Sequence, residues 1–204
     1  NMNNYHCWHC NTLGFLFVTA AMRYPKTMDG NFEKAFPDII RFVEKVYRVK
    51  KDKANRAIAG LSMGGFHSIY TALNNPDAFD YIGLFSAAFN QMTKDGDSLS
   101  PIYKNIDEKF KTLCKKSPKL IWIGIGKDDF LSHDDENLRA ALDKESYKYA
   151  YLKTKGGHTW RNWREYLATF AQKLNTDGEP HFDKLVGVKF TKPYYQDGEN
   201  YDGV

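Results

Sequence analysis

The sequence predicts an α/β protein with a mostly parallel sheet and helices on both faces. Three observations lead there. Short apolar runs alternate with stretches of helical periodicity along most of the chain. The runs read as strands buried on both faces, as parallel strands are. The length, 204 residues, suffices for one compact domain with a sizeable core.

Residues 1–13 are polar and irregular, and Gly14 to Met22 (GFLFVTAAM) reads as a buried strand. After a loop with Pro25 and Gly30, apolar residues at Phe32, Phe36, Ile39, Ile40, Val43 and Val46 recur at helical spacing up to Tyr47. Pro37 moves the expected start of that main helix to its own position, since proline fits the first turn. Arg56 to Leu61 (RAIAGL) is a strand, and Gly64 and Gly65 open a helix to about Asn74, where Pro76 blocks continuation. Tyr81 to Phe89 (YIGLFSAAF) is the next buried strand, followed by a polar loop over 90–105 and a helix from Asp107 to Lys116. Lys119 to Gly126 (KLIWIGIG) is the clearest strand of the chain. Glu136 to Asp143 is helical, and Tyr147 to Thr154 alternates like a strand. Trp163, Tyr166, Leu167, Phe170 and Leu174 mark a helix over Trp160 to Leu174. Residues 175–204 differ in composition, being rich in Gly, Asp, Pro and Tyr, with a strand-like stretch from Leu185 to Phe190. They form a C-terminal extension to a domain over 1–174.

Composition is that of an ordinary globular chain, with 42% hydrophobic and 26% charged residues. The aromatic share, 15%, is high, which serves either a large core or a surface that stacks on sugar or phenolic rings. A net charge of +4, without a basic stripe interleaved with aromatics, argues against nucleic acid as a partner. No apolar run approaches the ~20 residues that span a bilayer, so no membrane is expected. Three cysteines do not make a disulfide scaffold. Cys7-Trp8-His9-Cys10 lacks a second ligand pair at zinc spacing, so no metal site is expected there, and a local disulfide or free thiols is the simpler reading. Cys114 reads as a helix residue. No signal peptide is visible, and the chain does not begin with methionine.

Gly60-Leu61-Ser62-Met63-Gly64 fits Gly-x-Ser-x-Gly, between an apolar strand and a helix. In that context the serine sits on a strained turn that exposes its hydroxyl, and flanking glycines let the backbone pass without Cβ clashes. The helix N-terminus aims free N–H groups at developing negative charge, with Met63 N–H placed as an oxyanion-hole donor. The same five residues also arise by chance as a tight glycine-rich turn with a solvated serine.

A serine nucleophile needs a base, and the base a carboxylate to orient it. In the α/β-hydrolase fold the chain order is Ser, acid, His. Here KLIWIGIG ends in Gly126-Lys127-Asp128-Asp129, and the next strand is followed by Gly156-Gly157-His158. All three groups fall at the C-terminal ends of successive strands, where open α/β sheets place their sites. Either aspartate can be the acid, the other capping a turn. His6, His9, His67, His133 and His181 lack the strand-end context, and His67, one turn after Ser62, reads as packing or support.

The blocks FEKAFPDIIRFVEKVYRV…NRAIAGLSMGG, IGIGKDDFL and GGHTWRNWREYLATFAQKL resemble the esterase D / enterochelin-esterase-like family. Within it the chain is most similar to feruloyl and acetyl-xylan esterases of carbohydrate esterase family 1. The resemblance covers about residues 31–174. It implies Ser62 as nucleophile, His158 as base and Asp129, directly before the Phe-Leu pair, as acid. It also implies hydrolysis of feruloyl or acetyl esters on xylan through an acyl-enzyme, with no cofactor and a secreted or periplasmic location. Trp160 is a candidate substrate-binding residue, its alternative being a core anchor. Members of the family carry several more strands before the helix at 32–47, and one of those loops supplies the second oxyanion N–H. Residues 1–30 match that pattern poorly, so the fold is expected to be N-terminally shortened. An acyltransferase of the same fold and a non-catalytic carbohydrate-binding derivative are the competing readings.

Overall fold

Parallel strands stacked in chain order carry the molecule. The computed structural model describes residues 29–89 and 100–174. Among these, four strands pair in the order β1 (Ala57–Leu61), β2 (Tyr81–Phe85), β3 (Leu120–Gly126), β4 (Ala150–Thr154). All three pairings are parallel, so every strand ends at the same edge. The strand expected at 14–22, the Cys7–Cys10 group, His6, His9, His181, the loop over 90–99 and the tail from 175 onward lie outside the described residues.

The strands split their side chains between two cores. Ile82, Leu84, Ile121 and Ile123 face one side and pack with Phe66, Ile69, Leu73, Phe110 and Leu138. These come from α2 (Met63–Asn74), α3 (Ile106–Lys115) and α4 (Ser132–Lys144). Tyr81, Phe85 and Trp122 face the other side and meet Trp163, Tyr166 and Phe170 of α5 (Trp160–Ala171). The helices thus cover both faces. Two strand glycines make the second core possible. A Cβ on Gly83 would come 3.0 Å from the Phe170 ring, and one on Gly124 2.9 Å from Tyr166. Lacking side chains, they let the aromatics of α5 rest on the sheet backbone.

Helix α4 begins at Ser132 rather than Glu136 and β4 at Ala150 rather than Tyr147, and two further expectations need correction. The first helix, α1 (Asn31–Val46), does not begin at Pro37 but contains it. Gly30, at φ 78°, turns the chain into the helix, and Asp29 accepts hydrogen bonds from the backbone and side-chain N–H of Asn31. Glu33, fully buried, accepts from Tyr103 Oη at 3.0 Å and pairs with His67 Nδ1 at 2.8 Å. These tertiary bonds hold the first turn against the ~3 kcal/mol that an interior proline costs. Burial and the adjacent Glu33 carboxylate push the Tyr103 phenol well above its usual range. Secondly, β2 stops at Phe85 rather than Phe89. Ser86 takes φ 45°, outside the strand region, and its N–H donates to Gly124 O at 2.7 Å. The chain leaves the sheet there and passes under the turn that bears Ser62.

Candidate active site

Ser62 stands between β1 and α2 at φ 53°, ψ −120°. A non-glycine residue in such a region costs about 1–3 kcal/mol and persists only where its surroundings over-determine it. They do here. Ser62 N–H donates to Phe85 O at 2.9 Å, while its carbonyl accepts from Phe66 N at 3.1 Å and Ala88 N at 3.2 Å. A Cβ on Gly60 would sit 2.1 Å from Gly64 O, and one on Gly65 2.5 Å from Ala87 Cβ. A Cβ on Gly64 would meet nothing within 4 Å. The close passages therefore need Gly60 and Gly65, not the motif's second glycine, Gly64, as sequence reasoning expected. Met63 is the first residue of α2, so its N–H has no acceptor within the helix and is free for an oxyanion.

The loops after β3 and β4 are laced together. Lys127 N donates to Thr154 O at 2.9 Å and Asp128 N to Gly156 O at 3.0 Å. A Cβ on Gly126 would lie 2.2 Å from Gly156 O, so only glycine admits this approach. His158 is delivered opposite both other groups. Its Nε2 lies 2.8 Å from Ser62 Oγ, and its Nδ1 lies 3.0 and 3.1 Å from the two carboxylate oxygens of Asp129. A carboxylate accepts, so Nδ1 carries the proton and Nε2 is left as the acceptor for the serine hydroxyl. Asp129 is buried and its Oδ1 also accepts from Leu131 N at 3.0 Å. Asp128 is turned outward, with a side chain 62% exposed beside Lys127.

Five further residues belong to this surround, and sequence reasoning missed their roles. Asn162, on the first turn of α5, sends Nδ2 to Lys155 O and Gly157 O at 3.1 Å each, pinning the loop that carries His158. Thr154 and Tyr166 share a 2.6 Å hydrogen bond next to it, and burial pushes the Tyr166 phenol up. Trp163 packs edge-on against the imidazole, ring centroids 4.7 Å apart at 88°, with its Nε1–H bonded to Ser86 Oγ at 3.1 Å. Phe130 lies against the imidazole as well, at 4.5 Å. A helical period marks Trp163 as core, but nothing local says that its edge meets a histidine. Trp160 is 63% exposed and packs on Trp163 at 5.2 Å, so it is not a core anchor. His67 pairs with Glu33 rather than with this site, and His133 is largely exposed near Glu136. Among the described residues, no three His, Cys, Asp or Glu side chains gather into a metal-binding group.

Chemically, the arrangement can lower the cost of ionising Ser62 and hold the resulting imidazolium beside a carboxylate. Known proteins are similar to the chain over most of its described length. The family model Esterase ("Putative esterase") matches residues 37–174. An endo-1,4-β-xylanase/feruloyl esterase of Xylanibacter ruminicola is 32% identical over 145 residues, 70% of this chain and 18% of that protein. An acetyl esterase of Caldicellulosiruptor saccharolyticus is 27% identical over 207 residues, 81% of this chain and 76% of that protein. Among solved structures, a ferulic acid esterase superposes with a TM-score of 0.55 at 25% identity, over 67% of this chain and 58% of its own. The chain thus spans under a fifth of the xylanase/feruloyl esterase and somewhat over half of that solved chain.

Proposed function

Since the chain belongs to the Esterase family, we propose that it is a serine carboxylic-ester hydrolase that removes feruloyl or acetyl groups from xylan. The observation that carries this reading is the unbroken hydrogen-bonded chain from Ser62 Oγ through His158 to Asp129, set at three strand ends. In the proposed reaction Ser62 Oγ attacks the ester carbonyl while its proton passes to His158 Nε2. Asp129 stabilises the imidazolium, and Met63 N–H binds the oxyanion. The bond from carbonyl carbon to alcohol oxygen then breaks. The alcohol leaves with the proton from His158, and water repeats the sequence on the acyl-enzyme.

The acyl and polysaccharide classes come from likeness to proteins named for feruloyl and acetyl esters. A secreted or periplasmic setting goes with such a substrate. The test is hydrolysis of methyl ferulate and p-nitrophenyl acetate by the wild type and by Ser62→Ala. The wild type should turn over at least one ester, and the variant should lose about four orders of magnitude or more in kcat. Equal rates in the two proteins would end the catalytic reading. Release of p-nitrophenol or methanol only when a sugar alcohol is added, with the acyl group recovered as the sugar ester, would favour transfer over hydrolysis.

A further inference from the structure

Four rings touch in succession at the site: Phe130 on His158, His158 on Trp163, and Trp163 on Trp160. Successive centroids are 4.5, 4.7 and 5.2 Å apart. The inner two are covered, Trp163 at 8% exposure and the His158 side chain at 16%. The outer two are open, Phe130 at 72% and Trp160 at 63%. Large exposed aromatics gathered at one place cost hydration free energy and mark binding surfaces. The ester-hydrolase reading above, on which this inference rests, says which part of the substrate lies there. Ser62 bonds to the acyl carbon, whose carbonyl oxygen turns toward Met63 N–H. The alcohol oxygen must come within hydrogen-bond reach of His158 Nε2, which gives it the proton as the carbon–oxygen bond breaks. Phe130, which touches the imidazole, therefore borders the alcohol half of the ester, and Trp160 lies further out against Trp163.

We propose that Phe130 and Trp160 each present an open aromatic face to the sugar portion that carries the ester, and so select esters of polysaccharide over esters of small alcohols. The shape fits that occupant. A pyranose or furanose ring has an apolar C–H face and a rim of hydroxyls that keep their water. An exposed aromatic surface covers the face and leaves the rim wet. A flat phenolic acyl group is better held in an enclosed apolar slot, and two rings at this exposure do not make one.

The experiment compares kcat/KM for a feruloylated arabinoxylo-oligosaccharide with that for methyl ferulate. Phe130→Ala and Trp160→Ala should each lower the ratio of the two by about tenfold, the scale of one lost stacking contact. The change should fall mainly in KM, and Phe130→Tyr should restore the ratio. A ratio unchanged within twofold, or a loss confined to kcat with a displaced pH profile, would overturn the sugar contact and leave Phe130 as a support for His158. Sugar binding is read apart from catalysis by titrating Ser62→Ala with the unesterified oligosaccharide. The Trp160 indole resonance should shift, and adding Phe130→Ala should move the midpoint of that titration about tenfold higher. No shift in Ser62→Ala would overturn the sugar contact even in a protein that hydrolyses esters. A shift in a protein that hydrolyses none would keep the sugar contact and sink the hydrolase reading instead.

Discussion

Asp129 and His158, 29 residues apart, meet through both carboxylate oxygens at 3.0 and 3.1 Å from Nδ1. The neighbouring Asp128 faces water. The two aspartates are thus adjacent in sequence and opposite in surroundings. Asp129→Asn keeps the shape but lets the imidazole adopt the wrong tautomer, and in a serine triad that substitution lowers kcat by about four orders of magnitude. Asp128→Asn should stay within about twofold of the wild type, as surface changes do. Steady-state kinetics on p-nitrophenyl acetate decides, and the reverse order would move the acid to Asp128.

Asn162 supports the same histidine indirectly. Its Nδ2–H groups hold Lys155 O and Gly157 O. Asn162→Ala should lower kcat/KM by about 10- to 100-fold, since a displacement of ~1 Å at a catalytic group costs up to 100-fold. Labelling of Ser62 by a fluorophosphonate should slow in parallel. Asn162→Asp keeps the volume and removes the donor, so it should fall as far as alanine does. Full activity in Asn162→Asp would show that these bonds do not position His158.

The two glycines of the serine motif should respond in opposite directions. In Gly60→Ala the new methyl would meet backbone oxygen at 2.1 Å. The turn cannot form without a shift, and a loss of ~3 kcal/mol or more in urea unfolding is expected. Gly64 lies inside α2 with open space around it. Gly64→Ala should be neutral or stabilising, by up to ~1 kcal/mol from helix propensity. Equal destabilisation of both variants would contradict the steric account.

Glu33 tests the anchoring of α1. Its Oε1 serves both His67 Nδ1 and Tyr103 Oη in a fully buried setting. Glu33→Ala leaves two buried polar groups unmet, at about 1–3 kcal/mol each. A loss of ~3 kcal/mol in stability is expected, and less than ~1 kcal/mol would mean that the pair does not hold Pro37 in the helix.

The sequence alone determined the alternation of strands and helices, the helix after Ser62, and the loops that bear Asp129 and His158. Each of these is written in local periodicity and in glycines beside turns, which a short window of residues contains. It also placed Trp163 and Tyr166 on one buried face of a helix. It could not say where α1 starts, because the bonds that carry the helix through Pro37 come from His67 and Tyr103, 34 and 70 residues from Glu33. Residue pattern left Asp128 and Asp129 equal, and only likeness to a family separated them. Tertiary structure separates them physically, since the direction of a side chain in a turn depends on what that turn packs against. The same holds for Gly65 over Gly64, for Asn162, whose partners are carbonyls of another loop, and for Phe130, which resembles any loop phenylalanine until its ring is found on His158. Partners distant in the chain are chosen by packing, and no local pattern records that choice.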